Sequence, residues 1–353
     1  MARRLRQYVC SLLLLLFPAQ SAGASAPLPL DRPIEYVAIG DSITAGWGTP
    51  LIDGARLNGY APLLHRQMQA HGRATMHNLG IAGLTSGQFL FLLAHWPEAV
   101  EQLRRADLIT LSIGGNDIIW TEHQKPGDVM AMRAALTKYR SNIQKILSAF
   151  RKVNQRARLF VLEVYNPFEQ QDPRHRLFNE WITWVNESIL AVATQYDATV
   201  VPVASLFATH EKEYVNLANH DIHPNPLGHQ MIAKQIAHQL FGRFTPLLVT
   251  PDQQPNLLWN GNARNLPTRL IWENSTIYIS LPQLKAIDQD ARRTLRTRVG
   301  ANAVRIDGMR IPLPSPVLLL DGTLYLPLRP ILESIGAKVY WVPDSLTLSV
   351  FSK

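Results

Sequence analysis

The sequence predicts an α/β protein: a doubly wound parallel sheet over residues 34–240, followed by a small α+β module. Three observations carry this reading. Short apolar runs alternate with longer helical patterns throughout 34–240, the signature of β-α-β units. Those runs are nearly continuously apolar and rich in β-branched residues, as strands buried on both faces must be. Beyond residue 256 the texture changes to short strand-like segments joined by Asp-Gly turns. With 353 residues, 46% of them hydrophobic, the chain can bury a sizeable core.

Residues 1–26 read as a signal peptide. Arg3, Arg4 and Arg6 form a positive start, "YVCSLLLLLF" an apolar stretch, and "AGASA" offers cleavage after Ala24 or Ala26. An uncleaved N-terminal anchor is the weaker alternative, because the apolar stretch is short for a bilayer. The only cysteine, Cys10, falls inside this stretch. The mature chain therefore has no disulfide, thiolate metal site or cysteine nucleophile. Export without disulfides points to secretion or envelope association in a bacterium of simple, Gram-positive type.

The expected strands are "IEYVAIGD" (34–41), "TMHNLG" (75–80), "DLITLSIGGND" (107–117), "RLFVLEVYNP" (158–167) and "TVVPVA" (199–204). Helices are expected near 59–71, 86–105, 128–156, 174–195 and 226–241. Ligands of such sheets bind outside the carboxyl ends of the strands, where every polar motif of interest falls. The first domain spans 27–245. "FTPLLVTPDQQPN" (244–256), with three prolines, reads as connecting chain, with the linker proper at 246–256. The module, 257–353, has strand candidates "STIYISLPQL", "AVRIDGMRI", "VLLLDGTLYLPL" and "SLTLSVF", and a helix "LRPILESIGA" ending at Gly336.

The formal charge of +8 is unevenly placed. Residues 27–256 balance 20 basic against 20 acidic side chains, whereas 257–353 hold 12 against 7. "ARRTLRTR" (291–298) is the densest cluster. It reads first as a solvated helix face, second as a contact for anionic wall polymers or lipid headgroups. Nucleic acid is not the expected partner.

Four segments carry polar residues suited to chemistry. In "AIGDSITAG", Ser42 directly follows the first strand and opens a helix, which exposes its hydroxyl near backbone N–H groups. Asp41 or Ser42 as a plain N-cap is the alternative. In "HNLGIAGLTS", Gly83 is either an N–H donor toward a ligand or a tight turn. In "SIGGNDI", Asn116 either donates to an oxyanion or serves a turn. In "HDIHPNPLGH", His223 precedes proline in a restrained loop, placed to act as base toward a hydroxyl.

Taken in order, these segments resemble the four blocks of the SGNH, or GDSL, hydrolase family, over roughly residues 34–241. The resemblance implies a flavodoxin-like three-layer α/β/α fold with a five-stranded parallel sheet. It implies ester hydrolysis through an acyl-enzyme on Ser42 with His223 as base. The oxyanion hole would be the N–H groups of Ser42 and Gly83 and the side chain of Asn116. No metal or organic cofactor is called for. The sequence departs from the family at the acid. An aspartate is expected three residues before the histidine, where His220 stands; Asp221 lies two before. Either the loop adjusts and Asp221 holds His223, which is favoured, or a backbone carbonyl does. His220 lacks the charge to replace the acid, and His229 is expected on the surface of the following helix. Trp47 and Trp120 are candidates for the substrate pocket or ordinary apolar contacts. Trp181 and Trp184 suit a core or helix face.

The module "AVRIDGMRIPLPSPVLLLDGTLYLPLRPILESIGAKVYWVPDSLTLSVF" resembles the copper amine oxidase N-terminal-like, or stalk, domain. No copper site follows, since 257–353 contain neither histidine nor cysteine. The expected function is an exported serine esterase or lipase acting on a lipid, acyl or acetylated-sugar ester. A carbohydrate O-deacetylase is the enzymatic alternative. A catalytically inactive envelope-binding protein is the non-enzymatic one, and the presence of Ser42, Gly83, Asn116 and His223 argues against it.

Overall fold

The computed structural model describes residues 28, 32–52, 54–248, 256–264, 266, 270–273, 276–287, 294–320, 322–342 and 345–352. The expected signal peptide with Cys10, most of the expected linker, and Arg292 and Arg293 lie outside the described residues.

Five strands form the first sheet: β1 (Ile34–Gly40), β2 (Ala74–Gly80), β3 (Leu108–Ser112), β4 (Arg158–Leu162) and β5 (Ala198–Val201). All pair in parallel, in the order β2-β1-β3-β4-β5, the flavodoxin-like arrangement. Its switch point lies between β1 and β3. Side chains alternate faces at period two. Val37 and Ile39 enter one core with Ile109, Leu111, Leu159 and Val161; Ile34, Tyr36 and Ala38 enter the other with Phe160 and Leu162.

Nine helices surround this sheet among the described residues: α1 (Tyr60–His71), α2 (Ser86–His95), α3 (Pro97–Arg105), α4 (Gly115–Gln124), α5 (Val129–Val153), α6 (His175–Ala193), α7 (Val203–Phe207), α8 (Glu211–Tyr214) and α9 (Pro226–Phe241). The α2–α6 side covers the first core, α1 and α9 the second. Two expectations change here. The helix expected over 86–105 is two, because Pro97 has no N–H and starts a new helix. Ser42 opens a run of turns over 42–48, not a helix. Gly46 and Gly48 take positive φ there, and the first helix waits until Tyr60.

The C-terminal part consists of β6 (Asn256–Trp259), β7 (Asn262–Arg264), β8 (Ile271–Glu273), β9 (Thr276–Ser280), α10 (Leu281–Ile287), β10 (Leu295–Arg296), β11 (Ala303–Ile306), β12 (Met309–Pro312), β13 (Leu318–Leu320), β14 (Thr323–Pro327), α11 (Leu328–Ser334), β15 (Lys338–Val342) and β16 (Thr347–Phe351). Its sheets, β10-β11-β12, β13-β14-β9-β8 and β15-β16-β6-β7, enclose one core built on Leu257, Ile279, Leu326, Leu332 and Val350.

The described part of the expected linker is packed, not free. Gln67 of α1 exchanges hydrogen bonds with the backbone of Thr245, at 2.5 and 3.1 Å. Arg66 Nε donates to Leu247 O at 2.7 Å. Leu247 is buried with Ala70, Leu258 and Val342. The His71 ring at the end of α1 stacks on Phe241, 4.3 Å between centroids, and meets Phe351 of β16 at 5.3 Å. α1 is thus the joint between the two parts. No helix among the described residues is long and apolar enough to cross a membrane.

Candidate active site

The site forms where the chain leaves β1. Gly40 has φ +144, and a Cβ there would stand 2.1 Å from Ser112 O, so only glycine lets β1 and β3 approach this closely. Asp41 N–H donates to Ser112 O at 2.9 Å, and the buried Asp41 carboxylate accepts from Ile43 N–H and Ser112 Oγ, both at 3.0 Å. These bonds pin the turn that presents Ser42. Burial pushes the Asp41 carboxyl up to about 7 despite the hydrogen bonds, which favour its charged form.

The His223 loop is fastened to the Ser42 turn from several directions. Asn216 Nδ2 donates to Gly48 O at 2.7 Å and Asn216 N to His223 O at 3.0 Å. Tyr165 Oη donates to Ile222 O at 2.6 Å. A Cβ on Gly48 would reach within 2.1 Å of Pro224 O and 2.9 Å of His223 Cβ. The two loops interlock backbone to backbone.

His223 Nε2 lies 2.9 Å from Ser42 Oγ, and its Nδ1 lies 2.5 Å from Asp221 Oδ1. Asp221 Oδ1 also accepts from His223 N–H at 3.1 Å. A proton on Nδ1, donated to the carboxylate, leaves Nε2 free to accept from the Ser42 hydroxyl. The one-residue departure in the sequence is absorbed by His220. It takes a left-handed conformation, φ 56, points to solvent, and turns the chain so that Asp221 reaches the ring.

Ser42 and His223 open onto a cavity of about 420 Å³ that Gly83 and Asn116 also line. Gly83 has φ +78. Among the described residues, neither Ser42 N–H nor Gly83 N–H donates to another protein group. Asn116, in the first turn of α4, spends one amide hydrogen on Leu84 O at 3.1 Å and keeps the other. Beyond this polar rim the wall is apolar, with Ile118, Val164, Phe168, Phe178 and Ile182. Glu163 lines it too; its carboxylate accepts from Ala204 N–H at 3.1 Å and is raised by burial.

The tryptophans divide. Trp47 lines the cavity, its ring 5.6 Å from that of His223. Trp120 lies instead beside a neighbouring open groove, and its indole N–H donates to Gly83 O at 3.3 Å, which steadies the loop that carries Gly83. Trp181 is buried and Trp184 exposed on α6, and neither lines the cavity.

His229 corrects the sequence reading: it is fully buried, not on the helix surface. Tyr60 N–H, a free amide at the start of α1, donates to its Nδ1 at 3.1 Å; its Nε2 therefore carries the proton and donates to Trp47 O at 2.8 Å. Burial pushes its pKa down to about 4. Two more residues escaped sequence reasoning. Asp117 accepts from Ser86 N–H at 2.9 Å and Ser86 Oγ at 2.6 Å, tying α4 to the start of α2. Burial raises its carboxyl, opposed by those bonds. Asp41 completes the set, and its place inside a Gly-Asp-Ser turn was the available signal.

This fold and site define a hydrolase of carboxylic esters, and the comparisons agree. The GDSL-like lipase/acylhydrolase family matches residues 38–231, more than half the chain, and the chain belongs to that family. The copper amine oxidase N-terminal domain matches residues 266–350. The spore germination lipase LipC of Bacillus licheniformis is 24% identical over 216 residues, covering 60% of this chain and 98% of that protein. The YpmR protein of Bacillus subtilis is 27% identical over 206 residues, 58% of this chain and 80% of that one. Among solved structures, the lipase Lip_vut3 from a goat rumen metagenome superposes with a TM-score of 0.51 at 24% identity, over 58% of this chain and 97% of that one.

Proposed function

We propose that hydrolysis proceeds through an acyl-enzyme on Ser42. His223 Nε2 takes the proton as Ser42 Oγ attacks the ester carbonyl carbon. The tetrahedral oxyanion collapses, the alcohol leaves with the proton from His223, and water then repeats the sequence to free the acid. Asp221 holds the Nδ1–H tautomer and stabilises the imidazolium. Ser42 N–H, Gly83 N–H and the Asn116 amide receive the oxyanion. The observation that carries this reading is the 2.9 Å and 2.5 Å chain from Ser42 through His223 to Asp221, set at the mouth of a cavity.

The apolar wall favours an apolar acyl chain over an acetyl group. Each buried CH₂ is worth about 0.8 kcal/mol, so two more methylenes already give more than about tenfold in kcat/KM. Export and contact of the basic C-terminal part with the cell envelope complete the proposal. They are supported by the first 26 residues and by the charge excess after residue 256.

The decisive measurement compares wild type with Ser42→Ala on p-nitrophenyl acetate and octanoate. The variant should lose at least about 10⁴-fold in kcat, and a fluorophosphonate should label Ser42 in the wild type alone. Equal rates in the two proteins would refute the serine mechanism. A preference for acetate would refute the acyl-chain assignment only.

A further inference from the structure

The feature that the hydrolytic site leaves unexplained lies on the sheet β10-β11-β12. Its register places Arg296 opposite Arg305 and Arg305 opposite Arg310. All three are exposed. Their strand neighbours Val304, Ile306 and Ile311 are buried in the core of the C-terminal part. Because side chains alternate along a strand, the three guanidinium groups leave one outer face as a row across three strands.

Such a row has a cost. Like charges directly opposite each other destabilise an antiparallel pair, and here the mismatch occurs twice in succession. Among the described residues no carboxylate pairs with any of the three. The acidic side chain of the β11–β12 turn, Asp307, accepts from Thr294 N–H at 2.8 Å and makes no ion pair with them. Arg298 follows Arg296 by two residues and is also exposed. A solvated sheet face of no function has no need of three stacked arginines; an anion laid across them removes the repulsion and supplies the missing partner.

We propose that this arginine ladder binds a flexible linear polyanion bearing phosphate groups, lying across the strands. Adjacent strands are about 4.8 Å apart, so the outer guanidinium stems are separated by about 10 Å. That spans several charges of a single extended chain. Guanidinium forks match phosphate oxygens two at a time. The row is one side chain wide, which suits one strand of polymer and not a duplex. The other pair on the same face, Ala303 opposite Pro312, offers no large apolar side chain to enter a bilayer. The assignment sharpens the envelope-contact part of the proposal above and is independent of its hydrolytic part.

The test uses the full chain and inorganic polyphosphate of defined length, titrated at 50–300 mM salt. Wild type should bind with a log–log salt slope near about −2, from three contacts at about 0.7 each. The triple variant Arg296→Gln, Arg305→Gln, Arg310→Gln should lose at least tenfold in affinity and most of that slope. Ester hydrolysis should be unchanged in the variant, since none of the three lines the cavity, and a wild-type thermal transition and resistance to proteolysis verify that the C-terminal part is still folded. The single variant Arg305→Thr should raise Tm at low salt, with the gain shrinking at high salt as repulsion is screened. Absence of salt-sensitive binding by wild type overturns both the ladder and the envelope contact. Full binding by the triple variant overturns the ladder alone and moves the contact elsewhere. Equal or tighter binding to phosphatidylglycerol vesicles or duplex DNA overturns the single-chain polymer as ligand.

Discussion

Replacing Asp221 by asparagine removes a charge and leaves nearly everything else in place. Asp221 Oδ1 accepts from both Nδ1–H and the backbone N–H of His223. An amide oxygen in the same position can accept both, so the ring orientation and tautomer survive. What disappears is the attraction between a carboxylate and the imidazolium that forms as Ser42 attacks. With the charge centres about 4 Å apart, this is worth about 4 kcal/mol at an effective dielectric of about 20. The Asp221 side chain is 34% exposed, and water at that side reduces the figure to about 2 kcal/mol. Asp221→Asn should therefore lower kcat/KM between about 30-fold and 1000-fold, with KM and thermal stability little altered. Asp221→Ala should cost more, because His223 then loses an acceptor for two N–H groups. Steady-state hydrolysis of a p-nitrophenyl ester at pH 6–9 measures both. An Asp221→Asn enzyme within threefold of wild type would show that the carboxylate charge does no chemical work, and the dyad reading would replace the triad.

Asn116→Ala should lower kcat by about 10²–10³ with KM nearly constant; an unchanged kcat removes Asn116 from the oxyanion hole. His229→Phe leaves Tyr60 N–H and Trp47 O buried without partners, at about 1–3 kcal/mol each, so the urea midpoint should fall without a change in m; an unaltered midpoint refutes its anchoring role. Asp41→Asn tests a pH dependence. The folded pKa of Asp41 is raised from 3.8 to about 7, so its stabilising contribution is complete below pH 3.8 and lost as pH rises toward 7, about 4 kcal/mol at most. His229 works the other way: its folded pKa is lowered from 6.5 to about 4, so its contribution is complete above pH 6.5 and lost as pH falls toward 4. The two oppose each other in wild type. In Asp41→Asn, stability should rise with pH across 4.5–6.5 more steeply than in wild type, as read by urea unfolding; identical slopes refute the burial argument for Asp41.

The parallel sheet and the four polar segments were legible because each rests on short-range pattern: apolar runs for strands, small and polar residues at their ends. What the sequence hid is pairing over distance. Asp117 holding Ser86 joins two helices, and Asp41 holding Ser112 joins a turn to the end of β3; the Gly-Asp-Ser turn marks Asp41 as notable, but nothing local names either partner. His229 is different, since its signal was present. It lies on the same helical stripe as Ile232, Ala233, Ile236 and Ala237, all buried, and counting by 3.6 from those residues places it inside. The turns over 42–48 were likewise announced by "AGWGTP", whose glycines and proline oppose a helix. The arginine row could not be seen before register was known, because Arg296, Arg305 and Arg310 are scattered in sequence and only strand pairing aligns them.

The interlock of the Ser42 turn with the His223 loop has a kinetic consequence. Gly48 sits against Pro224 and His223 with no room for a methyl group, and Asn216 and His229 bind the backbone of Gly48 and Trp47. Ser42 and His223, the nucleophile and base of the proposed mechanism, are thus mounted on one interlocked block with their side chains 2.9 Å apart. Under the proposed mechanism their meeting needs no assembly step, so hydrolysis of dissolved monomeric esters should start without a lag, and any early curvature should be the burst of a building acyl-enzyme.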